Sequence, residues 1–304
     1  MDFQCITPAV TILDPKGRLD REENHKLYAH LLSGGVSGFV VLGSSGEFFS
    51  LGMDQTRELM GIAADFDRGS MRVFAGASRM DPDESVALAN HACDLGLHGV
   101  MIVSPYYFSL NDDCVFEYYS YVAKRTEAKI ILYNFPARTG YSLSTGLLLR
   151  LADKHDNIVG IKDTVMDMWH TADIIREVKS RFPHFEVFSG YDNNLAHNVL
   201  SGGNGCIGSL SNLVPEVFAD WLEALRREDF RAIARCQRKV DGLMRVYGIA
   251  DIFIPVIKKG LVLRGVVASS ACTRPFPSAD AAQTRRLEEL LAEMGVGKSA
   301  VAGA

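Results

Sequence analysis

A lysine at the end of a short apolar run, Lys162, is the residue whose position most suggests covalent chemistry. The four residues before it, 158–161 (IVGI), are uncharged and mostly β-branched, which is typical of a strand buried on both faces of a parallel sheet. Burial favours the neutral form of an amine, and only the neutral amine attacks a carbonyl. The pattern therefore indicates a nucleophilic lysine; the alternative is a strand-end lysine that reaches solvent.

Other polar side chains also stand where predicted strands end. Ser44 and Ser45 lie between glycines in residues 43–47 (GSSGE), and the N–H groups of such a turn can hold a carboxylate or a phosphate. Tyr133 ends another strand, where its hydroxyl can pass protons, and Arg138 in the following loop can clamp a carboxylate through its planar guanidinium. The alternatives are an ordinary glycine-serine turn and a surface ion pair of Arg138.

Two further strand ends complete the set of candidates. The fourth predicted strand ends in a pair of tyrosines, Tyr106 and Tyr107, and the seventh ends at Gly190, which is a candidate substrate-binding residue. Half-buried packing would explain the tyrosines equally well.

Eight short apolar runs alternate with helical patterns and supply the elements that must position these residues. The predicted strands are residues 5–12, 38–42, 72–77, 99–104, 129–134, 158–163, 185–190 and 205–210. The repeat is roughly 25 to 30 residues, the size of a strand plus a crossover helix. The chain is therefore predicted to be an α/β protein, a (β/α)8 TIM barrel, in which active-site residues follow the strands at their carboxyl ends. A doubly wound sheet shares the alternation and is the alternative.

Helical patterns replace the strand signals after residue 210. Residues 221–227, 230–247, 252–264 and 279–294 are predicted as helices. We expect residues 1–228 to form the barrel and residues 229–304 to form a C-terminal helical extension of the same domain.

Composition excludes several classes of function. The chain has 304 residues, is 47% hydrophobic and carries a net charge of -5, so neither disorder nor a nucleic-acid footprint is expected. The N-terminal residues predict no signal peptide, and no apolar run approaches the ~20 residues of a membrane span. The six cysteines form no C-x-x-C pair and are expected to be reduced thiols of a cytoplasmic protein.

Motifs for other chemistries are absent or misplaced. The histidines are scattered and H-E-x-x-H is absent, so no metal site is predicted. Glycines 203, 205 and 208 match the dinucleotide fingerprint by letters, but they precede a strand rather than follow one. G-x-S-x-G, the nucleophile elbow of many hydrolases, does not occur.

Three motifs together resemble one known family. Residues 43–47 (GSSGE) look like its G-[TS]-[TS]-G-E motif, residues 133–140 (YNFPARTG) like Y-N-x-P-x-R-T-G, and residues 160–163 (GIKD) like G-[IV]-K-[DE]. This is the dihydrodipicolinate synthase / N-acetylneuraminate lyase family of pyruvate-dependent class I aldolases. The resemblance runs from Thr7 to residues 254–256. It implies a TIM barrel with a helical C-terminal part, a homotetramer, and a covalent Schiff base between a lysine and pyruvate with no other cofactor.

The resemblance also implies roles for individual residues. The catalytic set would be the Schiff-base lysine Lys162, the proton relay Tyr133, Ser45, and Tyr107 reaching in from a neighbouring subunit. The substrate-binding set would be Ser44 and Ser45 on the pyruvate carboxylate, Arg138 on the carboxylate of a second substrate, Gly190, and the backbone carbonyl of Ile207.

The second substrate stays open at the level of sequence. Arg138 and the tyrosine pair favour a synthase that condenses pyruvate with aspartate semialdehyde. The serines at 44 and 45, where the synthase has threonines, weaken that assignment, and residues 133–137 and 189–192 look closer to aldolases of 2-keto-3-deoxy sugar acids. A keto-acid-binding barrel without catalysis is the alternative from another class, because a fold alone does not imply activity.

Overall fold

The computed structural model describes residues 3–66 and 69–300. Eight short parallel strands lie within these residues. They are β1 (Gln4–Pro8), β2 (Gly38–Val41), β3 (Arg72–Gly76), β4 (Gly99–Val103), β5 (Ile130–Asn134), β6 (Ile158–Asp163), β7 (Glu186–Ser189) and β8 (Gly205–Ile207). The strands follow one another in chain order around a closed barrel. This confirms the predicted barrel over the doubly wound sheet, because a closed parallel sheet has no edge strands.

Helices separate the strands and continue past the last of them. They are α1 (Arg21–Ser33), α2 (Met53–Phe66), α3 (Pro82–Asp94), α4 (Asp112–Ala123), α5 (Pro136–Thr139), α6 (Thr145–Lys154), α7 (Met168–Ile174), α8 (Leu195–Leu200), α9 (Pro215–Arg226), α10 (Phe230–Leu243), α11 (Ile254–Leu263) and α12 (Ala281–Glu293). The side chains of Asp20, Asp81 and Ser144 each accept a backbone N–H in the first turn of the helix that follows. Within the described ranges, no helix has both the length and the apolarity to cross a bilayer.

Two strands are shorter than their apolar runs predict. β1 ends at Pro8, because Val10 N–H donates to the side chain of Asn212 and Ile12 N–H to that of Asn24. β8 ends at Ile207, and the chain then forms a 3-10 helix over Ser209–Asn212. An apolar run indicates that its residues are buried, but a strand also needs hydrogen bonds to the backbone of a neighbouring strand. The predictions therefore ran three or four residues too far.

The C-terminal helices match the prediction except at their ends. The first of them, α9, begins at Pro215 rather than at residue 221. A proline is well tolerated in a first helical turn, where its missing N–H has no intrahelical acceptor. Val217, Phe218 and Trp221 are buried at helical spacing, so the signal for the earlier start was present in the sequence.

The chain divides into two compact units. One contains Gln4 with Val73–Ile207 and carries the strands from β3 to β8. The other contains Cys5–Arg72 and the chain from Gly208 onward, and so includes most of β1, β2 and helices α9 to α12. The C-terminal helices thus belong to the same unit as β2 and the loops before and after it. The predicted boundary between residues 228 and 229 remains a prediction.

The six cysteines form no disulfide. Cys5 and Cys206 are buried, Cys236 and Cys272 are partly buried, and Cys93 and Cys114 are exposed.

The register between neighbouring strands decides which side chains meet. Tyr133 of β5 lies opposite Lys162 of β6, and Asn134 lies opposite Asp163. A bulge between Ile130 and the next residue of β5 shifts the register before these pairs. Since the side chains of a strand alternate between its faces, Lys162 and Tyr133 share one face, and Asp163 and Asn134 share the other.

We expect Asn212→Ala to lower the free energy of unfolding by about 3 kcal/mol, because buried backbone groups lose their partners. The Asn212 amide is fully buried; it accepts from Val10 N–H at 3.1 Å and donates to the carbonyls of Pro8 and Ser209 at 3.0 Å. Urea unfolding measures the loss. Asn90→Ala is the control, since Asn90 is exposed and donates one bond of 3.2 Å. Equal losses in the two variants would contradict the role of Asn212.

Candidate active site

Lys162 is the penultimate residue of β6, and its side chain is buried. The residue is 4% exposed, and its Nζ lies 4.3 Å from the ring centroid of Tyr133, which is itself 3% exposed. Among the described residues no carboxylate pairs with Lys162. A lysine amine can attack a carbonyl carbon to form a Schiff base, so this position is suited to such chemistry.

Asp163, the residue after Lys162, turns to the other face of the strand and is fully bonded there. Its Oδ1 accepts from the Asn134 amide at 2.7 Å, and its Oδ2 accepts from Thr171 Oγ1 at 2.6 Å. Asn134 Oδ1 in turn accepts from Leu143 N–H at 3.0 Å. This buried network joins the ends of β5 and β6, which carry Tyr133 and Lys162, and so fixes the two strand ends relative to each other.

His170 completes this network and was not identified from the sequence. Its Nδ1 lies 3.0 Å from Asp163 Oδ2, and its Nε2 lies 3.1 Å from the carbonyl oxygen of Leu143. Both ring nitrogens therefore face acceptors, an arrangement that the doubly protonated ring satisfies best. The hydrogen bond to Asp163 raises the pKa of His170 against the opposing effect of burial. No local pattern marks a histidine seven residues after an aspartate, so the sequence offered no signal for it.

The Gly43–Glu47 turn, residues 43–47, is tightly closed and buried. The Gly46 N–H donates to the carbonyl of Gly43 at 3.0 Å. Leu42, which precedes the turn, and Glu47, its last residue, both have left-handed backbone conformations. A Cβ at Gly46 would lie 2.9 Å from the backbone nitrogen of Leu42, so only glycine fits. Non-glycine residues in this region of backbone space are uncommon and cluster at functional sites.

Ser45 is the more buried of the two serines in this turn. It is 3% exposed, whereas Ser44 is half-buried. The Ser45 hydroxyl forms a hydrogen bond with the hydroxyl of Ser209, in the 3-10 helix after β8. Ser209 is a second polar residue that sequence reasoning missed, although it lay within an apolar run predicted as strand. The pair places two hydroxyl groups together at the end of β2.

Arg138 and Tyr107 are accessible rather than buried. Arg138 lies in α5, is exposed, and has its Cζ 5.8 Å from the ring centroid of Phe135. None of the described carboxylates pairs with it, so the alternative of a surface ion pair is not realised. Tyr107 is 80% exposed, and its ring packs edge-on against Phe108 with centroids 5.0 Å apart. Both side chains are free to meet a ligand or another chain.

Gly190 and Ile207 lie at the carboxyl ends of β7 and β8. The Gly190 N–H donates to the carbonyl of Asp163 at 2.8 Å, which brings it beside the lysine strand. A Cβ at Gly190 would lie 1.9 Å from Thr164 Oγ1, so the close approach requires glycine. Ile207 is the last residue of β8 and is 1% exposed.

The described residues offer no obvious metal centre. No group of three or more His, Cys, Asp or Glu side chains in residues 3–66 and 69–300 could hold an ion.

A barrel whose sixth strand carries a buried lysine beside a tyrosine near its carboxyl end has side chains that Schiff-base chemistry can use. The model of the dihydrodipicolinate synthetase family matches residues 3–294. The chain belongs to this family, as the three motifs indicated, and it is accordingly a lyase of the pyruvate aldolase type.

Relatives of the chain have two kinds of named activity. It is 33% identical to the putative 2-dehydro-3-deoxy-D-gluconate aldolase YagE and 32% identical to the probable 2-dehydro-3-deoxy-D-pentonate aldolase YjhH, both of Escherichia coli K12. The alignments cover 95% and 96% of this chain and 96% and 97% of those proteins. It is 30% identical to the 4-hydroxy-tetrahydrodipicolinate synthase of Thermotoga neapolitana, over 97% of this chain and 99% of the synthase.

A solved structure confirms the fold. The crystal structure of E. coli YagE in complex with pyruvate superposes with a TM-score of 0.94 at 32% identity, covering 97% of this chain and 99% of that one. The architecture and the family are thus established by independent comparisons of sequence and of structure.

We expect His170→Asn to show that the Asp163–His170 pair stabilises the protein at low pH. Because the folded-state pKa of His170 is raised above the ~6.5 of an unfolded chain, its stabilising effect is complete below about pH 6.5 and disappears as the pH rises through the folded pKa. Urea unfolding of both proteins across this range measures the difference. NMR titration supplies the control, since burial lowers the pKa of His155; His170 titrating below His155 would contradict the assignment.

Proposed function

We propose that the protein is a class I aldolase in which Lys162 forms a Schiff base with the ketone of pyruvate. The observation that carries the proposal is the amine itself: it is 4% exposed, it has no carboxylate partner among the described residues, and it lies 4.3 Å from the centre of the Tyr133 ring. An aromatic face attracts a cation, so the same ring would stabilise the iminium that replaces the amine.

The chemistry needs only side chains that the family motifs supply. The neutral amine of Lys162 adds to the ketone carbon, and loss of water gives the iminium. The iminium withdraws electrons, so a proton leaves the neighbouring methyl group and an enamine forms. Its carbon attacks an aldehyde, and hydrolysis of the new iminium releases the product; cleavage is the reverse. In this proposal the iminium is the electron sink, and neither a metal nor another cofactor takes part.

The other site residues have supporting roles in this scheme. The hydroxyl of Tyr133 relays the protons of each step, since its residue pairs directly with Lys162 in the sheet. Ser44 and Ser45 bind the pyruvate carboxylate through hydroxyl and backbone N–H groups. Gly190 and the carbonyl of Ile207 contribute backbone groups to substrate binding.

A 2-keto-3-deoxy sugar acid is the substrate that we favour. Two relatives at 32–33% identity are named as aldolases of such compounds, and each alignment covers at least 95% of this chain. Serines at both positions of the 43–47 turn are in keeping with this branch. The enzyme would then cleave the acid into pyruvate and an aldehyde, or join the two.

Condensation of pyruvate with aspartate semialdehyde is the second candidate, and Arg138 is the observation that favours it. Its guanidinium is exposed and has no carboxylate partner among residues 3–66 and 69–300. A planar fork of this kind binds a substrate carboxylate in bidentate fashion. A relative at 30% identity is named as a 4-hydroxy-tetrahydrodipicolinate synthase.

The working form of the enzyme is proposed to be a cytoplasmic homotetramer. A tyrosine that is 80% exposed is poorly placed to serve its own chain, and a neighbouring subunit could receive Tyr107 and the adjacent Phe108. The free cysteines accord with a reducing compartment.

Lys162→Ala is expected to abolish trapping of pyruvate and to lower turnover by more than about 10³-fold, because the nucleophile is lost. The protein is incubated with pyruvate and borohydride, digested, and examined by mass spectrometry for a reduced adduct. Lys16→Ala, which removes an exposed lysine, is the control and should trap normally. Turnover retained in Lys162→Ala would end the proposal. Pyruvate binding without turnover of any aldehyde or keto acid would favour a non-catalytic binding barrel.

Arg138→Ala distinguishes the two substrates. If aspartate semialdehyde is the substrate, kcat/KM should fall roughly 10- to 100-fold, the effect of losing a hydrogen bond to a charged group worth about 1.5–3 kcal/mol. If a sugar acid without a carboxylate near Arg138 is cleaved, the change should be small. Steady-state assays with both substrates decide, with the exposed Arg231→Ala as control. Equal losses on both substrates would rule out Arg138 as a determinant of specificity.

A further inference from the structure

A second buried lysine, Lys258, lies outside the proposed reaction and is completely enclosed. It belongs to α11, and both Lys258 and its partner Glu47 have fully buried side chains. The Lys258 ammonium contacts Glu47 Oε1 and donates to the carbonyl of Ala271 at 2.7 Å. Burying two charges is costly even when they are paired, so a pair of this kind calls for an explanation beyond stability.

The other carboxylate oxygen of Glu47 is also used. Its Oε2 accepts from Thr273 N–H at 2.6 Å and from Thr273 Oγ1 at 2.8 Å. The Glu47 carboxylate therefore contacts an ammonium, a backbone N–H and a hydroxyl, and all three groups belong to the part of the chain after α10. The Lys258 ammonium is held in place by the carbonyl of Ala271, and Ala271 itself forms an antiparallel β-bridge with Leu13. We call Glu47, Lys258 and Thr273 the C-terminal anchor.

The anchor holds the last residue of the turn that contains the proposed carboxylate-binding serines. Glu47 has φ 60° and ψ 32°, a left-handed conformation that a residue with a Cβ adopts only when its surroundings determine it. Its N–H donates to the carbonyl of Ser44 at 3.2 Å, and Thr11 Oγ1 donates to the carbonyl of Gly46 at 2.7 Å. Glu47 and the two serines therefore belong to one short loop that these hydrogen bonds hold closed.

We infer that Glu47 and Lys258 are positioning residues for pyruvate binding: their ion pair keeps the 43–47 turn in the conformation that presents Ser44 and Ser45 to the substrate carboxylate. The inference rests on the proposed function of these serines. It makes the C-terminal helical extension part of the substrate-binding apparatus, although the extension carries none of the reacting groups.

Charge balance strengthens this interpretation. Glu47 lies two residues from Ser45, and an unpaired carboxylate there would repel an anionic substrate. Lys258 cancels that charge. In Glu47→Gln the remaining charge is positive and by itself would favour pyruvate. A weaker affinity in this variant would therefore report the lost geometry rather than the changed electrostatics.

Glutamine cannot replace Glu47 in the anchor, because its NH2 group would face a donor, either Lys258 or Thr273. We expect Glu47→Gln to raise the pyruvate concentration for half-maximal borohydride trapping on Lys162 by about tenfold, the effect of one misaligned charge-assisted hydrogen bond. The trapped fraction at saturating pyruvate should be unchanged, because the nucleophile is intact. Peptide mass spectrometry gives both quantities.

The double variant Glu47→Gln with Lys258→Met separates positioning from the cost of an unpaired charge. It removes both charges, so its thermal midpoint should be higher than that of Glu47→Gln. The half-saturating pyruvate concentration should stay high, because the 43–47 turn still lacks its bonds to the C-terminal helices. Recovery of both quantities would overturn the inference. A wild-type half-saturating concentration in folded Glu47→Gln would overturn it as well.

Arg264→Met is the matched control. Arg264 belongs to the same unit, is 5% exposed, and its Nη2 lies 3.0 Å from Glu216 Oε1. Its Nη1 also donates to the carbonyl of Leu213, but among the described residues Arg264 makes no direct contact with the 43–47 turn. Its thermal midpoint should fall while half-saturation stays within about twofold of wild type; a rise as large as that of Glu47→Gln would overturn the inference.

If Glu47→Gln does not fold, Thr273→Val tests the same inference, because it removes only the hydrogen bond of the Thr273 hydroxyl to Glu47. It should raise the half-saturating pyruvate concentration about threefold. A wild-type value would overturn the inference. Absence of an adduct in the wild-type protein would instead overturn the proposed function, and the inference with it.

Discussion

The register between β5 and β6 is the constraint on which the candidate site depends. It places Tyr133 opposite Lys162 and Asn134 opposite Asp163. A slip of one residue would exchange the two faces and move the lysine to the side of the sheet that carries the aspartate network. The bulge at Ile130 and the bonds between Asn134 and Asp163 oppose such a slip. The position of the Lys162 side chain is thus determined by the sheet rather than by a loop.

Lys162 and Asp163 are adjacent in sequence, but this geometry keeps their side chains on opposite faces of the sheet. The carboxylate of Asp163 is occupied by Asn134, Thr171 and His170, so it does not pair with the neighbouring amine. A carboxylate beside Lys162 would favour the ammonium and suppress the nucleophile. The network therefore has two consequences: it joins the strand ends, and it satisfies a negative charge where the proposed chemistry cannot use one.

Lys162 and Lys258 show how the environment assigns different roles to the same side chain. Both are buried, but Lys258 is paired with the carboxylate of Glu47, whereas Lys162 faces the ring of Tyr133. The paired lysine ties α11 to a loop near the other end of the chain. The unpaired lysine is the one that we propose as the nucleophile. Lys162 stands out in the sequence because it follows an apolar run, and Lys258, which lies within an apolar helix, carries a signal of the same kind.

The sequence alone determined the barrel, its family and the proposed reacting groups, because each depends on local pattern. Strand and helix periodicity, and the glycines and lysine of three short motifs, can be recognised within a few residues. Tertiary structure decided where the strands end, since Asn212 rather than a neighbouring strand bonds Val10. It also decided that His170 pairs with Asp163 and that Thr273 bonds Glu47. Such pairings depend on where a folded chain returns to itself, which no local spacing encodes.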